Sequence, residues 1–293
     1  MKTIEDISAQ LAATMVAALE QGIADPDGWQ APWHGAEFWG AVNASTHKHY
    51  TGGNAFSLGL YEWAFDGVRG PWATYRQWQS IGGQVRKGEK GFVIAVPRPC
   101  KRTNDDGTVD EWVMFRTATV FHSNQQDGWE RPAQAEPTGE DCADADALID
   151  RVSAEVDVRW TDEPRAFRSP SSDYVSLPAR GMYADAARYY STCFHEFGHM
   201  TGHASRLDRA QSNVFGSKEY AKEELVAEFT AAILGAGFSI ATGLADHNRD
   251  YLANWVAALN DDPRILWDAS GQAAKAARWL VACGAAGEVT GAA

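Results

Sequence analysis

Cysteine is scarce in this chain of 293 residues: the four, Cys100, Cys142, Cys193 and Cys283, lie far apart and form no CxxC pair. A chain of this size does not need a disulfide scaffold, and no thiolate zinc site is spelled out, so the four read as unrelated thiols of a reducing compartment. Long apolar runs are lacking as well. None approaches the roughly 20 residues that cross a bilayer as a helix. The start, Met1-Lys2-Thr3-Ile4-Glu5-Asp6, is acidic and does not have the form of a secretory or transit peptide, so the expected location is the cytoplasm, with no membrane partner. Positive charge is the third shortage, with 26 Lys and Arg against 39 Asp and Glu and a formal net charge of -13. That balance argues against binding duplex DNA through overall positive charge; a local basic surface is still allowed.

What is present is tryptophan. There are twelve, and Trp29, Trp33, Trp39, Trp63, Trp72, Trp78, Trp112 and Trp129 all fall in the first half. With 45% apolar residues, the length accommodates two domains more naturally than one. Ile4, Ile7, Leu11, Met15 and Leu19 recur at helical spacing and predict an amphipathic helix ending near Gly22. A turn at Thr51-Gly52-Gly53-Asn54 precedes a second helix, Ala55 to Phe65. The β-rich runs 91–97 and 111–121 flank the turn signal Asn104-Asp105-Asp106-Gly107 and read as two antiparallel strands joined by a long polar connection. Residues 124–141 turn polar, with Pro132, Pro137 and Gly139, and form the best linker candidate. Beyond it, helices are predicted near 143–156, 184–203, 218–234, 250–259 and 272–281, with one short strand at 173–177. The expected organisation is a domain over 1–130, a linker over 131–142 and a mostly helical domain over 143–293.

The most informative five residues are His195-Glu196-Phe197-Gly198-His199, an HExxH inside a helical stretch. Residues four apart project from one helical face about 6 Å apart along the axis, so two imidazoles can share one metal ion. Glu196 then lies beside the ion without binding it, placed to take a proton from water. Zn²⁺ with three protein ligands keeps an open position and lowers the pKa of a bound water to about 7; Mn²⁺ is the other divalent ion considered. His203 lies eight residues beyond His195, about 12 Å along a straight helix, and is too far to be the third ligand. The metzincin pattern would need a histidine at position 205, where Ser205 stands.

The next helix offers Glu224 and Glu228 on one face, as i and i+4. This pair resembles the gluzincin arrangement, by which Glu224 is the third ligand and Glu228 orients a ligand histidine, with the reverse assignment as the alternative. Glu223 reads as a solvated helix charge. Tyr174, Tyr189, Tyr190 and Tyr220 are chemically suited to polarise a carbonyl, and the sequence does not rank them.

Between Trp72 and Arg102 the chain reverses its charge: Arg76, Arg86, Lys87, Lys90, Arg98, Lys101 and Arg102 are opposed only by Glu89. Trp72, Tyr75, Trp78 and Phe92 are interleaved with them. Aromatic faces for bases beside cations for phosphates are the pattern of single-strand binding. The candidate nucleic-acid residues are therefore Trp72, Tyr75, Arg76, Trp78, Arg86, Lys87, Lys90, Arg98, Lys101 and Arg102. The Gly-rich stretch 82–91 lacks the GxxxxGK[ST] spacing of a phosphate-binding loop and reads instead as a turn presenting Arg86, Lys87 and Lys90.

Three blocks in the first half, Trp72-Ala73-Thr74-Tyr75-Arg76-Gln77, residues 83–91 and Phe121-His122-Ser123-Asn124-Gln125-Gln126, resemble the N-terminal domain of ArdC-type antirestriction proteins. The run from Tyr189 to His203, Ser205-Arg206-Leu207-Asp208-Arg209, Phe215-Gly216 and the stretch 220–228 are similar to that family's zincin-like domain. The resemblance implies an α+β protein: a mixed helix and antiparallel-strand domain binding single-stranded DNA, then a mostly helical metallopeptidase domain with a small sheet. It also implies carriage on a mobile element and protection of incoming DNA from restriction. The protein substrate would be a restriction enzyme or another DNA-associated protein. Two readings compete with catalysis: a protein that coats single strands and uses its metal only structurally, and an acidic mimic of duplex DNA.

Overall fold

The computed structural model describes residues 4–25, 29, 31–34, 38–64, 70–103, 108–130, 142–210, 217–240 and 249–284. The turn expected at 104–107, most of the linker (131–141), Phe65 and Phe215-Gly216 lie outside them. The described chain is mixed α and β. Helices α1 (Ile4–Ala24) and α2 (Gly53–Ala64) precede a short strand β1 (Trp72–Thr74), a short helix α3 (Tyr75–Ser80) and strand β2 (Gln84–Val85). The long strands β3 (Phe92–Thr103) and β4 (Val109–His122) follow, then β5 (Gln126–Asp127). The second half runs α4 (Ala143–Glu155), β6 (Asp157–Thr161), β7 (Phe167–Ser169), β8 (Tyr174–Pro178), α5 (Ala186–Met200), α6 (Lys218–Gly237), α7 (Arg249–Asp261) and α8 (Ile265–Ala282).

The two halves share a hydrophobic core. The apolar stripe of α1, Ile7, Leu11, Met15 and Leu19, is buried together with Phe56 of α2, Leu225 and Phe229 of α6, Leu252 and Trp255 of α7 and Leu266 of α8. Trp33 stands at the junction, edge-on to Phe229 at 5.9 Å and to Trp255 at 6.0 Å between ring centroids. Burying an aromatic ring of this size contributes several kcal/mol, so this cluster ties together segments more than 190 residues apart. A second cluster lies between α4, β8, α5 and α8, built on Leu148, Val175, Tyr190, Phe194, Phe197 and Leu280. The central helix is α6, packed between α5 and α8, and it is buried almost all round.

The first sheet has the order β1-β4-β3, all antiparallel, and the third has the order β6-β8-β7 with β6 parallel to β8. The β3–β4 pair is longer than its sequence pattern foretells. Pairing continues to Thr103↔Val109, so the stretch carrying Arg98, Lys101 and Arg102, expected in a polar connection, is strand. At its base, Ile94 and Val120 are buried around Trp72 and Leu58. Beyond Ala95 both strands are exposed on both faces. As the outer strand, β3 has its free edge closed in two ways. The Asn54 side chain accepts from the Ala95 N–H (2.9 Å) and donates to its carbonyl (2.6 Å). Pro97 and Pro99, two residues apart, leave their missing N–H groups on that same side, where no ladder bond is lost.

Because Trp33 joins core segments from both ends of the chain, Trp33→Ala should lower the stability of the entire molecule by about 3–5 kcal/mol in one cooperative transition. Denaturant melts followed by near-UV and far-UV circular dichroism check this; two separated transitions, with only one displaced, would contradict a shared core.

Candidate metal centre and candidate nucleic-acid surface

Helix α5 begins at Asp185, whose side chain accepts from the Arg188 N–H, and α6 begins at Ser217, whose hydroxyl accepts from the Tyr220 N–H. The two helices cross at Gly198, inside the HExxH. A Cβ there would stand 2.9 Å from Ala227 Cα and 3.2 Å from its carbonyl oxygen, so glycine is what lets the helices come this close. That closeness brings Glu224 of α6 under the two histidines of α5. The Nε2 atoms of His195 and His199 are 3.1 Å apart, and the Glu224 oxygens stand 3.7 Å from each of them. Two nitrogens on a tetrahedral Zn²⁺ at 2.0–2.1 Å would be about 3.3 Å apart, so the donor set fits a divalent ion. Among the described residues this trio is the one such group. His203 points elsewhere, its Nδ1 2.8 Å from Ser205 Oγ and 3.4 Å from Asp173.

Each candidate ligand histidine has its own buried carboxylate behind it. The Nδ1 of His195 stands 3.2 Å from Glu228 Oε2, and the Nδ1 of His199 stands 3.3 Å from Glu223 Oε1. A carboxylate that accepts from Nδ1 fixes the tautomer and leaves Nε2 free to bind a metal. Glu223 is thus not the solvated charge its place in the sequence implies: it is 6% exposed, and Arg209 donates to both its oxygens at 3.0 and 2.7 Å. Arg209 also donates to Thr201 Oγ1 and to the Gly198 carbonyl, locking the end of α5 to α6. Glu223 and Arg209 escape sequence reasoning because the bond that joins them links residues 14 positions apart. A buried glutamate needs a cation, and Arg209, with a side chain only 5% exposed, was the available one.

The electrostatics follow from this enclosure. Burial alone would depress the His199 imidazolium, but acceptance of its protons by Glu223 and Glu224 outweighs it and pushes the pKa up to about 10. His195 is raised for the same reason, with Glu228 as the main acceptor opposing burial. Glu224, although burial pushes it up, is held down to about 2 by the two histidines. Glu196 is 9% exposed; burial raises its carboxyl above the ordinary value, against the pull of His195 and His199. Of the four tyrosines, Tyr220 reaches the site, hydrogen-bonded to Glu224. Tyr174 lies under the Arg159 guanidinium, Tyr189 is buried, and Tyr190 is bonded to Asp146, Arg180 and the Cys142 backbone.

The tryptophan-rich basic strip is divided by the fold. Trp72 and Trp78 are both 0% exposed, their indole N–H groups donating to Glu62 and to the Phe121 carbonyl. A fully enclosed ring cannot stack on a base, which corrects their assignment as nucleic-acid contacts. Arg86 is exposed, its side chain at 41%, and is held by Glu89, Asp127 and the Asn124 and Gln126 carbonyls. Tyr75, Arg76, Lys87, Lys90, Arg98, Lys101 and Arg102 are exposed, the last two opposite Glu111 and Asp110. Of the eight tryptophans of the first half, Trp112 is the exposed one, at 43%. The register of β3 and β4 sets Val96↔Arg116, Arg98↔Met114, Cys100↔Trp112 and Arg102↔Asp110, and directly paired residues at alternate positions share a face. One face of the arm therefore carries three arginines, Trp112 and Met114 against one acid.

An HExxH on one helix with a carboxylate from the next, behind a small sheet, defines a zincin-like metallopeptidase domain, and residues 143–272 match the family of that description. Residues 5–128 match the N-terminal domain of anti-restriction factor ArdC. The chain belongs to the family of ArdC-type antirestriction proteins. It is 33% identical over 290 residues to the uncharacterized protein y4eC of Sinorhizobium fredii (strain NBRC 101917 / NGR234), covering 95% of this chain and 92% of that protein. It is 35% identical over 293 residues to the DNA primase TraC of Escherichia coli, covering 93% of this chain and 20% of that longer protein. Its fold is that of the antirestriction ArdC protein from the R388 plasmid. The metal-free crystal structure of that protein superposes with a TM-score of 0.76 at 32% identity, covering 96% of this chain and 98% of the other. The Mn(II)-bound structure superposes with 0.71 at 33% identity, covering 92% and 98%. Among the described residues no helix is long and apolar enough to cross a membrane.

With its pKa pushed up to about 10, the His199 imidazole is cationic at neutral pH before a metal arrives. Binding must strip that proton, so a divalent ion should release about one proton at pH 7 and bind more tightly as pH rises. Calorimetry in two buffers of different protonation enthalpy reads the number directly; no proton release would contradict the assignment.

Proposed function

We propose that this protein protects the incoming DNA of a mobile element from restriction by holding single strands on its N-terminal half and hydrolysing peptide bonds of DNA-associated protein at the α5–α6 centre. The observation that carries the hydrolytic part is the convergence of His195 Nε2, His199 Nε2 and Glu224, with the buried Glu196 beside them. His195, His199 and Glu224 would hold Zn²⁺, with Mn²⁺ as the alternative favoured by the Mn(II)-bound relative. A divalent ion there supplies Lewis acidity, polarising a carbonyl and making water acidic enough to attack near neutral pH.

The chain's own groups do the rest. Glu196, held above its ordinary pKa by burial, takes the proton from the attacking water as its oxygen bonds the peptide carbonyl carbon. The same carboxyl returns that proton to the departing amine nitrogen as the C–N bond breaks. Glu228 and Glu223 keep the imidazoles aimed, and Tyr220, bonded to Glu224, offers a hydroxyl for polarising the carbonyl.

For single strands, the basic and aromatic face of the β3–β4 arm supports the reading best. Trp112 offers an exposed ring for base stacking, and Arg98, Arg102 and Arg116 on the same face follow phosphates. Arg76, Lys87, Lys90 and Lys101 add exposed positive charge, and Tyr75 an exposed ring. Lys101 and Arg102 pair with Glu111 and Asp110 only at the surface, where such pairs are weak and easily exchanged for phosphate.

Glu196→Gln should keep metal content and single-strand affinity while reducing protein cleavage in the presence of single strands by about 10²-fold or more, with loss of protection of transferred DNA. Protection that survives the substitution would replace catalysis with strand coating. Trp112→Ala should weaken single-strand binding about 5- to 150-fold, the equivalent of about 1–3 kcal/mol of stacking. Arg98→Ala with Arg116→Ala should reduce the slope of log K against log salt by about 1.4. Titration of labelled oligonucleotides at several salt concentrations tests both; unchanged affinity and slope would remove the arm from the binding surface.

A further inference from the structure

Glu228, the carboxylate behind His195, has a second partner from the far end of the sequence. His34 Nε2 stands 2.5 Å from Glu228 Oε1, while Glu228 Oε2 serves His195 Nδ1 at 3.2 Å. His34 belongs to a single 3-10 turn, Pro32–His34, that is entirely buried. The turn is pinned by the Trp33 side chain in the shared core and by the Trp39 indole N–H, which donates to the Trp33 carbonyl at 3.0 Å. His34 is 8% exposed and Glu228 2%, so water does not compete for either bond.

The structure assigns His34 as a positioning residue of the metal centre, the group by which the N-terminal half holds a metal-ligand histidine of the C-terminal half in its binding orientation. This rests on the proposed metal reading. The argument is geometric. A carboxylate that uses both oxygens in opposite directions cannot rotate without giving up one bond, and buried, it has no solvent bond to take in exchange. His34 therefore fixes the plane of Glu228, and Glu228 fixes the ring of His195 with Nε2 turned toward His199 and Glu224. The two ligand histidines differ in this respect. His199 is set by Glu223 and Arg209, both within the metallopeptidase half; His195 is set across the boundary by a residue 194 positions before Glu228. A displacement of the Pro32–His34 turn would be felt at His195 directly, so occupancy of the metal site reports on the packing of the two halves.

The test uses the full chain with Zn²⁺ titrated against a chromogenic chelator, together with the absorption spectrum of the Co²⁺-loaded protein and the melting temperature of the metal-free protein. His34→Ala should weaken Zn²⁺ about 10- to 100-fold, the usual effect of losing a group that orients a ligand, and alter the Co²⁺ bands. His34→Gln, whose amide N–H can donate to Glu228 in place of the imidazole, should restore affinity to within about threefold of wild type, with the Co²⁺ bands of the wild type. Wild-type affinity in His34→Ala would overturn the assignment and leave the metal reading standing. Equal weakening in both variants, in step with lost melting temperature, would also overturn it, marking His34 as structural only. A wild-type chain that takes up no ion would overturn both.

Discussion

The structure depends on what happens when three carboxylates are buried on one helix. Glu223, Glu224 and Glu228 of α6 are 6%, 9% and 2% exposed, and an ionised carboxylate taken out of water is costly unless it is paired and hydrogen-bonded. The fold answers each one. Arg209 and His199 meet Glu223, His195 and His199 meet Glu224, and His34 and His195 meet Glu228. The same pairing that makes burial tolerable sets both imidazole rings by Nδ1 and leaves both Nε2 atoms facing one point. A structural necessity and the candidate metal site are the same network.

That network needs a frame, and the frame is made by the whole chain. Gly198 allows α5 and α6 to touch, Arg209 ties the end of α5 to α6, and α6 itself is wedged between α5 and α8. The apolar face of α1 and the Trp33 cluster complete the enclosure from the other end of the sequence. What projects from this packed body is the β3–β4 arm, whose outer residues face solvent on both sides. The candidate metal centre thus lies in the core, while the exposed arginines and Trp112 lie on an element that faces solvent.

The parts of this arrangement that were legible in the sequence are those governed by local periodicity. HExxH and the Glu224–Glu228 pair announce themselves because residues four apart share a helical face wherever the helix lies. The helices α1, α4, α5 and α6 follow from the same rule. What escaped is set by contacts between distant segments. His34 and Arg209 have nothing local to mark them, and Glu223 looks like any surface glutamate until α6 proves to be central. Composition found the basic, aromatic strip but could not tell inside from outside: Trp72 and Trp78 went into cores, while Trp112, outside that strip, kept its ring in solvent. The strands β6 and β7 are short and largely polar, so their alternation was too brief to read, and α8 starts at Ile265, earlier than its Gln272 to Val281 pattern.

The central claim is that two imidazoles bind through Nε2, with one carboxylate, because buried carboxylates hold their Nδ1 atoms. X-ray absorption at the metal edge of the Zn²⁺-loaded protein tests it most directly. The account predicts a first shell of nitrogen and oxygen at about 2.0–2.2 Å without sulfur, carrying the outer-shell scattering of two imidazoles, with one imidazole's contribution lost in His199→Ala. A spectrum with no imidazole scattering, or one unchanged by removal of His199, would contradict it.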